Sequence, residues 1–210
     1  MNAGYPVILR LDGKKVVVVG GGKVAERKVA GLLGTGAEVF VVSPEATEEI
    51  QRLCRNGKII WKEKSFAHSD IADASLIFAA TNNREINQLI GKSAGAHQLV
   101  TIADDPEGSN FHVPAHVQRG SLSIAISTGG ASPTLAGKIR EQLEQQFDDS
   151  YEGYLDFLAS KRKWILNEVT NPSIKRKLLK SIVSSEFLTS QQREDDFKQL
   201  YESVRRETRE

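Results

Sequence analysis

The chain has 210 residues, a length that suits one full-sized domain with an appendage or two small domains. Its 28 basic and 27 acidic residues leave a net charge of +1, which gives no support for a nucleic-acid-binding role. The single cysteine, Cys54, excludes an internal disulfide, and no stretch reaches the roughly 20 apolar residues that span a bilayer. We therefore expect a cytoplasmic protein without membrane or nucleic-acid partners.

The first predicted strand, over Lys15 to Val19, is apolar and β-branched without polar alternation, as strands buried on both faces are. Three glycines follow it, and from Val24 the apolar residues recur at the spacing of a helix that ends near Gly34. Such a turn leaves backbone N–H groups free for an anion, typically a pyrophosphate. The pattern Gly20-x-Gly22-x-x-Ala25 is an alanine-ended form of the dinucleotide-binding fingerprint, although a turn that serves only close packing looks the same. The expected cofactor-binding residues here are Gly20, Gly21, Gly22, Lys23 and Val24.

A second strand is predicted over Glu38 to Val42, and NAD-specific folds usually place an acidic residue directly after it to hold the ribose hydroxyls. This sequence has Ser43, Pro44 and Glu45 at that point, which we take as ribose-side candidates. Ser43 can donate to a ribose hydroxyl, and no arginine stands ready there for a 2′-phosphate. The segment therefore favours NAD over NADP.

Strands and helices continue to alternate through the next sixty or so residues of the chain. We predict a helix over 45–55, strands over 58–62 and 75–80, a helix over 84–95 and a strand over 98–103. This alternation predicts a parallel sheet wound by right-handed crossovers, an α/β domain of the Rossmann-like type.

Ligands of such sheets bind beyond the carboxyl ends of the strands, where this sequence places Ser43, Thr81 and Asp104. Asp104 directly follows the fifth strand, so we expect it on the cofactor side. Asp104 and Asp105, which precede Pro106, could equally serve only to start a turn, and their spacing does not decide between the two interpretations.

The alternation stops after residue 112. One strand is predicted over 121–126, and Ser132 and Pro133 suit the N-cap and first position of a following helix. The free N–H groups of this second strand–glycine–helix unit could hold a substrate carboxylate, or the unit could be an ordinary capped helix.

From about residue 149 the chain becomes helical and charged, with apolar stripes typical of a small bundle. Asn171 and Pro172 end one helix, and Thr189 with Gln192 resembles a capping box that opens another. No resident metal is expected, because Pro114 keeps His112 and His116 off a regular helix and no cysteine joins them. The predicted division is an NAD-binding domain over 1–112, a small α+β segment over 113–148 and a helical domain over 149–210.

Four stretches together resemble the precorrin-2 dehydrogenase family of sirohaem synthesis: VVVVGGGKVAERK, FAATNN, TIADDPEGSNFHVPA and IAISTGGASPTLAGKIRE. The resemblance is strong from about residue 5 to 147 and weak in the helical tail. It implies NAD-dependent oxidation of precorrin-2, an acidic tetrapyrrole, to sirohydrochlorin. It also implies a homodimer in which segment 113–148 interlocks with its partner, and it matches the family's important aspartate to Asp104, our candidate catalytic residue.

An acidic substrate requires groups that hold anions around its cleft. The candidates are His116, Arg119, Ser127, Thr128, Gly129 and Gly130. Two alternatives stay open: a bifunctional dehydrogenase and sirohydrochlorin ferrochelatase, since some family members insert iron, and a non-catalytic NAD-sensing regulatory module.

Overall fold

The computed structural model describes residues 4–207, which divide into two compact units, Tyr5–Val113 and the residues from Pro114 onward. Within residues 4–207, none of the helices is long and apolar enough to cross a membrane.

The first unit is a parallel five-stranded sheet with helices on both faces, in the strand order β3-β2-β1-β4-β5. Its elements are β1 (Lys15–Val19), α1 (Lys23–Leu32), β2 (Glu38–Val42), α2 (Glu48–Arg55), β3 (Ile60–Lys62), a 3₁₀ turn (His68–Asp70), β4 (Leu76–Ala79), α3 (Arg84–Ser93) and β5 (Leu99–Ile102). The chain reverses its direction of winding between β1 and β4, and such switch points are where open α/β sheets bind ligands. The predicted Rossmann-like domain is confirmed.

The central strand β1 is apolar after Lys15 because both of its faces are buried. Val16 and Val18 pack with α1 and α2 on one face, while Val17 and Val19 pack on the other face with α3. Each is at most 1% exposed, and full burial of one such side chain contributes about 1.5–3 kcal/mol. Both faces of the strand are covered, so the period-2 alternation of a half-exposed strand is absent.

Helix α2 begins later than the sequence predicts, at Glu48 instead of residue 45. Thr47 donates its backbone N–H to the carbonyl oxygen of Gly21 at 2.9 Å, and its hydroxyl accepts from the N–H of Ile50 at 3.4 Å. Thr47 is therefore the N-cap, and the bond to the glycine turn holds the preceding residues outside the helix. β3 is likewise shorter than predicted, Ile60–Lys62 instead of 58–62.

The second unit contains a two-stranded antiparallel sheet and a run of helices. Its elements are β6 (Ala115–Arg119), β7 (Leu122–Ile126), α4 (Pro133–Gln146), α5 (Ser150–Glu168), α6 (Pro172–Ser181), α7 (Ser185–Thr189) and α8 (Arg193–Glu207). β6 is not predicted from the sequence, because Val117 is its only buried residue and most of its other residues are polar. A hairpin signal was present, since β6 and β7 are joined by two residues and Gly120 has φ +52°.

Helices α5 to α8 share a core of aromatic and aliphatic side chains. Its buried members are Tyr154, Phe157, Ile165, Val169, Leu178, Ile182, Phe187, Phe197 and Val204. The predicted capping box is wrong, because Thr189 ends α7 and Ser190 instead accepts the backbone N–H of Gln192 at 2.9 Å. The sequence predicts that Asn171 and Pro172 end a helix, but α5 already ends at Glu168. Asn171 is instead the N-cap of α6, and its side-chain oxygen accepts the N–H of Ser173 at 2.8 Å.

Candidate cofactor-binding and active site

The glycine turn between β1 and α1 packs tightly against its neighbours at two of its three positions. Gly20 has φ +125°, and a Cβ atom on it would lie 2.3 Å from the carbonyl oxygen of Ala80. A Cβ atom on Gly21 would lie 1.9 Å from the carbonyl oxygen of Glu45. Both distances are far below van der Waals contact, so the fold itself requires glycine at these two positions.

Gly22 differs, because nothing in residues 4–207 requires glycine there. Its φ is −84°, which any residue adopts, and an added Cβ atom would meet nothing within 4 Å. Gly22 is the N-cap of α1 and has no side chain to accept from the first-turn N–H groups, which lack partners inside the helix. Open space before free N–H groups and the positive end of a helix dipole fits a phosphate. The turn therefore fits the pyrophosphate of a dinucleotide.

In the first turn of α1, backbone N–H groups are more available to bind an anion than the side chains are. The Nζ atom of Lys23 lies 3.0 Å from Oε1 of Glu26. Hydrogen bonds from Thr47 and from Lys23 hold the pKa of the Glu26 carboxyl below its ordinary value. Val24 is 41% exposed, although the helical pattern placed it on the apolar stripe. Lys23 and Val24 can thus contribute N–H groups to an anion while the lysine ammonium is engaged within the helix.

The segment after β2 is anchored at its first residue. The backbone carbonyl of Ser43 accepts the indole N–H of Trp61 at 3.0 Å, and Ser43 is partly buried. Pro44 and Glu45 are exposed. This anchoring fixes the position of the Ser43 hydroxyl beside the carboxyl end of β2, which is where a Rossmann-like fold holds the ribose of its cofactor.

A buried asparagine joins the carboxyl ends of β4 and β5. Asn87 of α3 is 1% exposed, and its Nδ2 donates to Oδ1 of Asp104 at 2.9 Å and to the backbone carbonyl of Thr81 at 3.1 Å. Its Oδ1 accepts from the N–H of Thr81 at 3.1 Å and from the Thr81 hydroxyl at 2.7 Å. Two of the predicted site residues, Thr81 and Asp104, are thereby held together by a residue that the sequence analysis did not select.

The two aspartates after β5 have different surroundings. Oδ1 of Asp105 accepts the N–H of Gly108 at 3.0 Å, and its backbone carbonyl accepts the hydroxyl of Ser109 at 2.8 Å. Asp105 thus organises the turn that contains Pro106 and leads to Ser109. The carboxylate of Asp104 is exposed and accepts from Asn87, so it is available to a ligand at the carboxyl edge of the sheet.

The second strand–glycine–helix unit folds as a capped turn. Gly129 and Gly130 have φ +60° and +84°, which explains the choice of glycine. The hydroxyl of Thr128 accepts the N–H of Ser132 at 3.1 Å, and the hydroxyl of Ser127 accepts the N–H of Gly129 at 3.2 Å. Ser132 caps α4, as predicted. The hydroxyls therefore support the turn.

The two remaining substrate-binding candidates lie on β6. His116 is exposed, whereas Arg119 is partly buried and surrounded by acceptors of its own unit. Its Nε lies 3.1 Å from Oδ1 of Asp149, and its Nη atoms donate to the backbone carbonyls of Gln118 at 2.8 Å and Glu144 at 3.4 Å. His116 is thus the freer of the two to contact a ligand.

A parallel sheet with a glycine turn that fits an anion at its switch point and an available carboxylate two strands away is the arrangement typical of a nicotinamide-dinucleotide-dependent dehydrogenase. Three family models match in chain order, described as NAD(P)-binding over residues 7–115, sirohaem biosynthesis protein central over 119–146, and SirC C-terminal domain over 151–197. The chain belongs to the precorrin-2 dehydrogenase family, as the resemblance found in the sequence indicated.

The similarity to proteins of this family extends along the whole chain. Precorrin-2 dehydrogenase of Priestia megaterium is 35% identical over 201 residues, covering 96% of this chain and 100% of that protein. Precorrin-2 dehydrogenase of Bacillus subtilis (strain 168) is 32% identical over 158 residues, covering 75% of this chain and 98% of that protein. A solved structure described as SirC, precorrin-2 dehydrogenase, matches with a TM-score of 0.82 at 36% identity, covering 95% of this chain and 100% of that one.

Longer proteins match with only part of their length. Siroheme synthase of Xylella fastidiosa (strain M12) is 39% identical over 182 residues, which cover 86% of this chain but 38% of that protein. The chain thus corresponds to one portion of such a synthase and to the full length of the Priestia megaterium dehydrogenase.

Proposed function

We propose that this protein oxidises precorrin-2 to sirohydrochlorin with NAD as the hydride acceptor. The observation that carries the proposal is the Thr81–Asn87–Asp104 network beside the glycine turn, in a chain similar from end to end to a precorrin-2 dehydrogenase. Ala80, which contacts Gly20, directly precedes Thr81. The turn that fits a pyrophosphate and the carboxylate that suits proton transfer are therefore parts of one continuous edge of the sheet.

The oxidation removes a hydride and a proton from the reduced tetrapyrrole. A bound nicotinamide dinucleotide supplies the acceptor for the hydride. The N–H groups around Gly22 bind its pyrophosphate, and Ser43 holds a ribose hydroxyl. The Asp104 carboxylate accepts the proton or stabilises positive charge on the substrate, and Asn87 keeps that carboxylate in place.

The proposal of NAD over NADP rests on the segment after β2. A 2′-phosphate would add negative charge at the ribose, where Ser43, Pro44 and Glu45 bring no positive charge and Glu45 carries an exposed carboxylate. Since like charges in an interface are unfavourable, this segment favours the unphosphorylated ribose.

Substrate binding by the second unit is a further part of the proposal. His116, exposed on β6, is the candidate that the structure leaves most available, and the turn over 127–130 presents polar backbone at the start of α4. The Arg119 guanidinium adds positive charge near this surface, although it already interacts with the carbonyl of Gln118 and the carboxylate of Asp149.

We also propose the three-part division into 1–112, 113–148 and 149–210, and a cytoplasmic homodimer. The three family models that match in succession support the division. An apolar stripe on α4 that the described chain leaves largely uncovered supports the dimer: Leu135 is 50% exposed, and Ile139 and Leu143 are only partly buried.

The proposed activity is tested by mixing the protein with precorrin-2 and NAD without oxygen and following the absorbance of sirohydrochlorin together with that of NADH. We expect one NADH for each sirohydrochlorin, and a lower kcat/KM when NADP replaces NAD. Stoichiometric NAD binding without turnover of precorrin-2 would contradict the proposal and favour a regulatory NAD-sensing module.

Replacing Asn87 tests whether it positions Asp104. Asn87→Ala removes the donor to Asp104 and the three hydrogen bonds between Asn87 and Thr81, so we expect kcat for precorrin-2 to fall about tenfold or more. Buried groups left without partners cost about 1–3 kcal/mol, so the free energy of unfolding falls as well, which urea titration measures.

A double-mutant cycle separates positioning from general destabilisation. If Asn87 acts through Asp104, then adding Asn87→Ala to Asp104→Ala lowers kcat little further, while the loss of unfolding free energy remains. Full additivity of the two effects on kcat would mean that Asn87 does not act through that carboxylate.

A further inference from the structure

The first unit contains a cavity of about 180 Å³ on the α1 side of the sheet. It is bounded by α1, the carboxyl ends of β4 and β5, and the segment that follows β5. Its lining includes Lys28, Phe78, Thr101, Pro106, His112 and Val113. The volume is below the roughly 300 Å³ at which sites begin to enclose a whole small-molecule ligand, so the cavity suits one arm of a larger ligand.

The lysine that lines this cavity is unlike the other partly buried lysines of its unit. Lys15 and Lys62 are each paired with an aspartate, whereas no carboxylate of residues 4–207 lies within ion-pair distance of the Lys28 ammonium. Its Nζ instead lies 5.7 Å from the ring centroid of Phe78. Burial, and secondarily the charge of Arg27, lowers the pKa of Lys28 below its ordinary value. A partly desolvated charge without a counter-ion favours an anionic ligand.

The cavity lies beside the site already described. Its lining includes Ala80 and Ala103, which directly precede Thr81 and Asp104. A ligand whose reacting edge contacts Asp104 can therefore place a side arm in the cavity. The apolar walls, among them Phe78 and Val113, suit the methylene part of such an arm, and the ammonium suits a terminal carboxylate.

We propose that this cavity binds a carboxylate side arm of the tetrapyrrole substrate, with Lys28 as its counter-ion. The inference rests on the proposed function and adds a substrate contact within the nucleotide-binding unit. Binding there orients the macrocycle relative to Asp104, since one fixed arm removes a rotational freedom of the ring.

The experiment compares Lys28→Gln with Arg27→Gln, which removes the same charge from an exposed residue of the same helix. Loss of a charge-assisted contact predicts a KM for precorrin-2 about 10- to 100-fold higher in Lys28→Gln, with the dissociation constant for NAD unchanged. Lys28→Arg retains much of the affinity, and Arg27→Gln resembles the wild type. Equal KM values for precorrin-2 in the two glutamine variants would overturn the proposal. A loss of NAD affinity in Lys28→Gln alone would also overturn it, because the cavity would then bind the cofactor.

A binding measurement keeps this result independent of turnover. Sirohydrochlorin carries the same acidic arms, and its dissociation constant is obtained from quenching of tryptophan fluorescence. We expect weaker binding to Lys28→Gln than to Arg27→Gln. If the wild type binds sirohydrochlorin in this Lys28-dependent manner but does not oxidise precorrin-2, the proposed function is contradicted and the subsite is retained. If the two variants bind sirohydrochlorin equally, or the wild type does not bind it, the subsite is contradicted.

Discussion

We expect Asp104→Ala to lower kcat for precorrin-2 oxidation by about 10²- to 10⁴-fold, the usual contribution of a positioned acid or base, while the dissociation constant for NAD stays at the wild-type value. We expect the two effects to separate because Asp104 is exposed after β5, where its carboxylate accepts from Asn87, whereas the glycine turn proposed to bind the pyrophosphate follows β1. Single-turnover absorbance measures the chemical step, and calorimetric titration measures NAD binding.

Two further variants define what the carboxylate contributes. Asp104→Asn retains an oxygen that can accept from Asn87, so its packing is preserved and a loss of turnover reports the missing charge or proton acceptor. Glu107→Gln removes another exposed carboxylate from the same segment and leaves turnover unchanged. If Asp104→Asn and Asp104→Ala both turn over precorrin-2 at the wild-type rate, Asp104 has no part in the chemistry.

The sequence predicts the bounds of an element correctly where burial is similar along the length of that element. After a charged first residue, Lys15 or Glu38, β1 and β2 are apolar and mostly buried, and their predicted bounds match the structure. The start of α2 depends instead on a bond between Thr47 and Gly21, which are 26 positions apart, and local propensity carries no information about such a contact. β6 is missed for a related reason, since its polar residues lie on a ribbon with little burial.

The candidate site shows the same distinction. The glycine turn and Asp104 can be predicted because each lies within two residues of the end of a strand, and in a parallel sheet that position determines the edge. Asn87 and Lys28 are interior residues of helices, where an amide or an ammonium normally indicates a solvated face. Their importance comes from tertiary neighbours. Asn87 bonds to Thr81 and Asp104, and Lys28 lies over the ring of Phe78.

We expect Gly22→Asp to abolish NAD binding, with a dissociation constant at least about 100-fold higher, and to leave the fold intact. An aspartate at this position directs a carboxylate into the open space before the first turn of α1, where we propose that the pyrophosphate binds, and like charges brought together in a site cost several kcal/mol. The same aspartate is a better N-cap than glycine and carries favourable charge for the helix dipole. We therefore expect an unchanged or raised Tm together with the loss of cofactor, measured by thermal unfolding and calorimetric titration.

The neighbouring positions and a neutral side chain provide the controls. Gly22→Asn has nearly the same shape without the charge, so the difference in NAD affinity between it and Gly22→Asp isolates the electrostatic part of the effect. Gly21→Ala instead destabilises the protein itself, because its Cβ atom would collide with the carbonyl of Glu45. Wild-type NAD affinity in Gly22→Asp would show that the first turn of α1 does not hold the pyrophosphate, and the proposed arrangement of cofactor and Asp104 would have to be abandoned.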